Sequence, residues 1–183
     1  MTLGVATLPV GVMGTFGWSV FGAIPRRRAG FDGVLPSSWA DGTRGWDGWL
    51  STADYPRVID PPGGRIWTAN ARVVGGAMLA TLGDGSYEMG SRARQIAERL
   101  RERASFTPRD MLAIQLDTRA EFLDRWHTLL VQVLTTSAVD GHPGRTALRD
   151  VVTRDWTGEA SPSSAAYQFT RRFRDVVSER VIR

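Results

Sequence analysis

Cysteine is absent from the 183 residues, and so is lysine, leaving all 23 basic residues as arginine. Without cysteine, neither disulfides nor thiolate metal sites are available, and redox chemistry says nothing about compartment. Asparagine occurs once, as Asn70, and histidine only as His127 and His142. Lysine and asparagine use AT-rich codons, so their scarcity reflects a GC-rich genome. The net charge of +4 and sequence pI near 10.5 therefore carry little weight as a sign of nucleic-acid binding. The 19 acidic residues are interspersed with the arginines, a pattern of solvated helix faces rather than of a basic groove. No phosphate loop and no serine in a nucleophile elbow occur, and neither histidine has a second ligand at metal spacing. These absences exclude a self-contained catalytic set of the familiar kinds.

What is present suffices for a core, since 42% of residues are hydrophobic. Thr2 to Ile24 carries no charge and is followed by Arg26, Arg27 and Arg28, a length that would suit a membrane helix or signal segment. Gly4, Gly11, Gly14, Gly17, Gly22 and Pro9 interrupt the run, and the arginines follow it instead of preceding it. It reads as buried strands with glycine turns, with no membrane span favoured. Ala29 to Leu50 is rich in Gly, Trp and Asp. Its aspartate-glycine steps mark tight turns, and Trp39, Trp46 and Trp49 either cover a sheet edge or stack on a ligand.

The chain is organised around Asp60 to Arg72, where two prolines and two glycines make a turn and Ile66 and Trp67 begin a predicted short strand. That strand ends at Asn70. A carboxamide there either hydrogen-bonds the adjacent turn or presents two N–H donors to a ligand oxygen.

Helical periodicity takes over from Tyr87, with Met89, Ala93, Ile96, Ala97, Leu100 and Ala104 on one stripe. Arg92 falls in the first turn, where the helix dipole disfavours a cation, so another contact is expected to hold it. Thr107-Pro108-Arg109-Asp110 is a helix start. It opens a stripe from Leu112 to Leu134 that is expected to bend near Asp117-Thr118. Val139 to Gly144 reads as a loop, Thr146 to Trp156 as a helix, and Ser161-Pro162-Ser163 opens a last helix with Ala166, Phe169, Phe173, Val176 and Val177 inward. Strands first and helices after predict an α+β fold. The expected organisation is a single partial domain over 1–183, strand- and turn-rich over 1–85 and helical over 86–183.

Several segments, in order and spacing, resemble the penicillin amidase (penicillin acylase) family of N-terminal-nucleophile amide hydrolases. They are Phe16-Gly17-Trp18, Gly22-Ala23-Ile24-Pro25-Arg26-Arg27, Phe31-Asp32-Gly33, Tyr55-Pro56-Arg57, Gly64-Arg65-Ile66-Trp67-Thr68-Ala69-Asn70, and Ser91-Arg92-Ala93-Arg94. Thr107 to Trp126 and the chain from Trp156 onward are similar to that family's following helices. The resemblance covers nearly all of this chain and an internal part of the family's longer large chain.

It implies a partial N-terminal-nucleophile hydrolase fold and the hydrolysis of linear amides, such as antibiotic side chains or N-acyl compounds. In the family, a serine freed by self-cleavage attacks the amide with its own α-amine as base. Asn70 matches the family's oxyanion-hole asparagine and Arg92 the arginine beside it. The nucleophilic serine has no match in neighbours or position among Ser19, Ser37, Ser38 and Ser51. The partner implied is thus an upstream chain or segment of the same hydrolase, the ligand a small-molecule amide, and the isolated chain is expected to be inactive. Calcium is bound by many members, but Asp84 is not a clean match to a ligand, so no cofactor or metal is assigned. The family is often exported. The alternative reading is a non-catalytic binding or assembly module that uses the tryptophan-rich loops.

Overall fold

Glycine and proline divide the first hundred residues so finely that no described strand there exceeds the four residues of Trp46–Trp49. The computed structural model describes residues 16–20, 22–31, 33, 35–83 and 87–182. Most of the uncharged N-terminal run, and Asp32 and Asp84, therefore lie outside the described residues. Backbone packing groups the chain into two units, Met1–Ala104 and Ser105–Arg183. Among the described residues the architecture is α+β, with seven α-helices and two small antiparallel sheets. No helix among them is long and apolar enough to cross a membrane.

In the first unit β1 (Gly17–Ser19) pairs antiparallel with β4 (Arg57–Ile59), setting Trp18 opposite Val58. Gly17 is required at this pairing, because a Cβ there would lie 2.5 Å from Ile59 Cδ1 and 2.8 Å from the Val58 carbonyl. Asp60, at φ +42°, closes the end of the ladder. Its N–H donates to the Phe16 carbonyl at 2.9 Å and its carboxylate accepts from the Phe16 N–H at 2.8 Å. The second pair joins β2 (Pro25–Arg27) to β3 (Trp46–Trp49) across an irregular register. There Arg26 Nε donates to Asp47 Oδ1 at 2.9 Å, and this hydrogen bond holds the exposed Asp47 carboxyl below the usual aspartate range.

Trp18, Val20 and Ile24 form the buried core of this unit, and Ile66, Val73, Val74 and Leu82 pack on it. The predicted strand at Ile66-Trp67 is not formed: residues 65–68 are irregular and belong to neither sheet among the described residues. Each side chain is satisfied singly, Ile66 against the core and Trp67 beneath the Arg101 guanidinium, 5.0 Å from the ring centroid. Helix α1 (Gly76–Leu82) follows, and α2 (Ser91–Arg101) buries Ala93, Ala97 and Leu100 as its periodicity predicts. Met89, placed on that stripe by spacing, lies before the helix and is exposed.

The second unit is helical. Thr107 caps α3 (Pro108–Gln115) reciprocally: Thr107 Oγ1 accepts from the Asp110 N–H at 3.2 Å, and Asp110 Oδ2 accepts from the Thr107 N–H at 2.9 Å. The expected bend is a full break after α3. There the Ala120 N–H donates to the Gly158 carbonyl at 2.6 Å and the Ala160 N–H to the Thr118 carbonyl at 2.7 Å. Arg119 also pairs with Asp117 at 2.7 Å and with Glu121 at 2.7 Å.

Beyond the break come α4 (Asp124–Val133), the short α5 (Thr136–Val139) just before the predicted loop, α6 (Pro143–Arg154), which begins inside that loop, and α7 (Ala165–Ile182). Leu130, Leu134, Val139 and Val152 form their buried core, with Phe173 of α7 packed against it. Leu112, Leu116, Val133 and Phe169, predicted inward, are exposed. Helical spacing identifies an apolar face without saying what covers it. His127 is engaged structurally, its Nε2 2.8 Å from the Val152 carbonyl and its ring stacked on Trp156 at 4.4 Å.

Candidate functional site

Asn70 owes its position to anchors on either side. Ile66 before it and Val73 and Val74 after it reach into the Trp18 core, so the intervening backbone is tethered at both ends. Between them Asn70 takes φ +60°, the left-handed conformation that asparagine tolerates better than most side chains. Its carbonyl accepts the Glu88 N–H at 2.9 Å, tying the turn to the approach of α2. Arg65 reinforces the base of this segment, with Nη2 donating to the Arg103 carbonyl at 2.5 Å and Nη1 to the Gly63 carbonyl at 3.0 Å.

The structure brings together the two residues singled out from the sequence. Arg92, in the first turn of α2, donates from Nη2 to Asn70 Oδ1 at 2.8 Å and to the Ala69 carbonyl at 3.4 Å. This is the contact expected for a cation at an unfavourable end of a helix dipole. It also fixes the amide. A guanidinium only donates, so the oxygen must face Arg92 and the NH2 group lies on the opposite side. Both side chains are exposed, and no hydrogen bond from Asn70 Nδ2 is found among the described residues. The pair thus presents two N–H donors, polarised by a cation behind them, to a molecule arriving from solvent.

Beside the pair lies an open cleft of about 610 Å³. Its floor is the buried Ala71 and Ala93, which flank Asn70 and Arg92 in sequence, and Trp67, Tyr87 and Met89 supply apolar surface. Arg72, Glu88 and Arg94 add charge. The sequence alone did not reveal this cleft; the small residues Ala71, Gly90 and Ala93 around the pair were the only signal. Among the described residues no three His, Cys, Asp or Glu side chains gather to hold a metal, and Asp84 is not described.

The tryptophan-rich loops form a separate feature in the same unit. Phe31, Trp39 and Trp46 pack edge to face, with centroids 4.9 Å apart for Phe31–Trp46 and 5.2 Å for Trp39–Trp46. Trp39 and Trp49 remain more than half exposed, at 56% and 58%.

The scaffold itself places the chain in a class. Over 80% of its length its fold is similar to a thermostable penicillin G acylase from Alcaligenes faecalis, with a TM-score of 0.50 and 19% identity, covering 26% of that chain. Residues 3–183 match the penicillin amidase family, and the chain belongs to that family. It is 34% identical to the penicillin acylase 2 proenzyme of Pseudomonas sp. strain SE83 over 88% of this chain and 20% of that protein. It is 37% identical to the acyl-homoserine lactone acylase QuiP of Pseudomonas fluorescens over 58% of this chain and 13% of that protein. The chain therefore spans about a fifth or less of these curated relatives' length.

Proposed function

We propose that this chain is the oxyanion-stabilising part of an amide hydrolase of the penicillin acylase type, built on a portion of the N-terminal-nucleophile fold. The observation that carries this reading is the 2.8 Å hydrogen bond from Arg92 to Asn70 Oδ1, which turns the carboxamide donors away from the protein. Family membership and the names of the relatives support an acylase rather than a binding module.

In this reading a serine at the N-terminus of the processed large chain, carried by another segment of the family's polypeptide, adds to the substrate carbonyl. Its hydroxyl proton passes to its own α-amine, whose ordinary pKa near 8 makes it a competent base at neutral pH. The π electrons move onto the carbonyl oxygen, and Asn70 Nδ2 donates to that oxyanion. Collapse expels the amine, which takes the proton, and leaves an acyl-enzyme that water hydrolyses. Arg92 acts on the reaction through Asn70: its charge strengthens the amide as a donor when negative charge develops. The isolated chain, without the serine, does not turn over.

The test is an acylase assay on the chain combined with the nucleophile-bearing segment of its polypeptide, using a chromogenic N-acyl amide. Alanine is a poor choice at Asn70, because φ +60° strains any β-carbon without a compensating local hydrogen bond. Asn70→Gly keeps the backbone and deletes the amide. It is expected to lower kcat by about 10²–10³-fold, the usual loss for one oxyanion donor. Unchanged turnover would defeat the assignment.

The second reading, a binding or assembly module, draws on the exposure of Trp39 and Trp49. It requires specific binding by a catalytically silent chain that is lost on Trp49→Ala.

A further inference from the structure

Helix α2 meets the segment that carries Asn70 at three points, in reverse order along the chain. Arg92 in its first turn donates to Asn70 and Ala69, and Arg101 at its last position lies over the Trp67 ring, 5.0 Å from the centroid. Just past its end, the Arg103 and Ala104 carbonyls accept from Arg65. The segment is therefore strapped antiparallel along the helix. The straps are not equivalent. Arg92 sits at the end of the helix dipole that disfavours a cation, whereas Arg101 and the Arg65 guanidinium sit at the end that favours one. The two contacts at the C-terminal end are thus the ones able to hold the segment, and the contact at Asn70 depends on where they hold it.

The spacing leaves little slack. From Arg92 to Arg101 the helix rises about 14 Å, while three residue steps from Trp67 to Asn70 reach at most about 11 Å. The long arginine side chains make up the difference, so Trp67 cannot slide along α2 without drawing Asn70 off Arg92. Ile66 sets the depth of the segment in the Trp18 core, but one aliphatic contact does not set register along a neighbouring helix. A guanidinium held over a ring does.

We propose that Arg101 is a positioning residue for Asn70: its grip on Trp67 sets the register of residues 65–70 along α2 and so keeps the carboxamide oxygen on Arg92. It touches no reacting atom. The proposal deepens the reading of Asn70 as the oxyanion donor and rests on it for any effect on turnover, but the positioning itself is a property of the chain.

Asn70 is the sole asparagine, so ¹⁵N-asparagine labels one carboxamide, and its NH2 pair can be followed by NMR in the 183-residue chain. Arg92→Gln defines where that pair resonates once the guanidinium is lost. Arg101→Leu, which keeps an apolar side chain on Trp67 and deletes the cation, is expected to move the pair most of the way to that position. Arg101→Lys, which keeps a cation for the ring, is expected to leave it near the parent. Circular dichroism matching the parent shows that the variants fold. In the assembled enzyme, Arg101→Leu should lower kcat about tenfold with KM unchanged, and Arg101→Lys should recover most of the loss. An NH2 pair left in place by Arg101→Leu, one displaced as far by Arg101→Lys, or no difference between Arg92→Gln and the parent would overturn the proposal.

Asn70→Gly separates the two hypotheses. If it leaves turnover unchanged, the oxyanion role fails while the NH2 shifts stand. If it abolishes turnover and Arg101→Leu moves nothing, the positioning fails and the oxyanion role stands.

Discussion

Residues 16–104 and residues 105–182 hold themselves together by different means. In the first stretch the strands are three or four residues long, and loop-to-loop hydrogen bonds such as Phe16 with Asp60 and Glu88 with Asn70 set the path of the chain. In the second, helices close around Leu130, Val139 and Val152, and the connections between them only join what is already packed. The difference explains where an outward-facing carboxamide can be displayed. A helix satisfies its backbone internally and admits no φ of +60°, whereas a tethered irregular segment can hold one such residue and aim its side chain outward.

The largest stability effect should come from breaking the helical side. Leu130 is 3% exposed at the centre of that core, and Leu130→Ala is expected to cost about 2–5 kcal/mol, read from the helical signal during urea unfolding. In the irregular stretch the comparable lesion adds an atom instead of removing several. Gly17→Ala should cost about 1–3 kcal/mol by pushing β1 and β4 apart. Adding Ile59→Val to it should recover only part of the loss, because the Val58 carbonyl clash remains.

Thr107→Ala removes one half of a reciprocal cap and should cost about 1 kcal/mol, with fraying of α3 visible in amide exchange. Smallest is Thr170→Val. Thr170 is fully buried and its hydroxyl has no partner among the described residues, so an isosteric apolar side chain should leave thermal stability unchanged or slightly raised.

The contact between Arg26 and Asp47 sharpens the contrast through pH. A carboxyl depressed in the folded state favours folding above its unfolded value and loses that contribution as pH falls through the folded one. Acid should therefore weaken the tie between β2 and β3, and in the helical stretch its counterpart is the end of α6, where the Arg154 hydrogen bond depresses the Asp155 carboxyl in the same direction.

The helices were the legible part of this sequence, because capping and periodicity are local. Thr107, Pro108 and Asp110 announce α3 within four residues, and Ala93, Ala97 and Leu100 mark the buried face of α2. The break after α3 was foreseen as a bend, but not the bridge from Thr118 and Ala120 to residues 158–160, since nothing local encodes a partner forty residues away. Helix α1 was missed because its glycine-rich start carries no side-chain cap. The strand expected at Ile66-Trp67 failed for a related reason: an apolar pair signals burial, and burial here comes from a core contact and a stacked arginine instead of a ladder.

The meeting of Asn70 with Arg92 was implied only by family resemblance and by the oddity of a cation in the first turn of α2. Spacing alone could not have set them 2.8 Å apart.

The way Arg92 grips Asn70 also carries a vulnerability. Deamidation of this single asparagine would replace the amide by a carboxylate, which the guanidinium would hold more tightly than before. The aged molecule would keep its shape and even tighten locally, while both donors on the outward side would be gone. Damage at this position would therefore change folding stability little, and the added negative charge, a mass increase of about 1 Da or the lost donors would betray it.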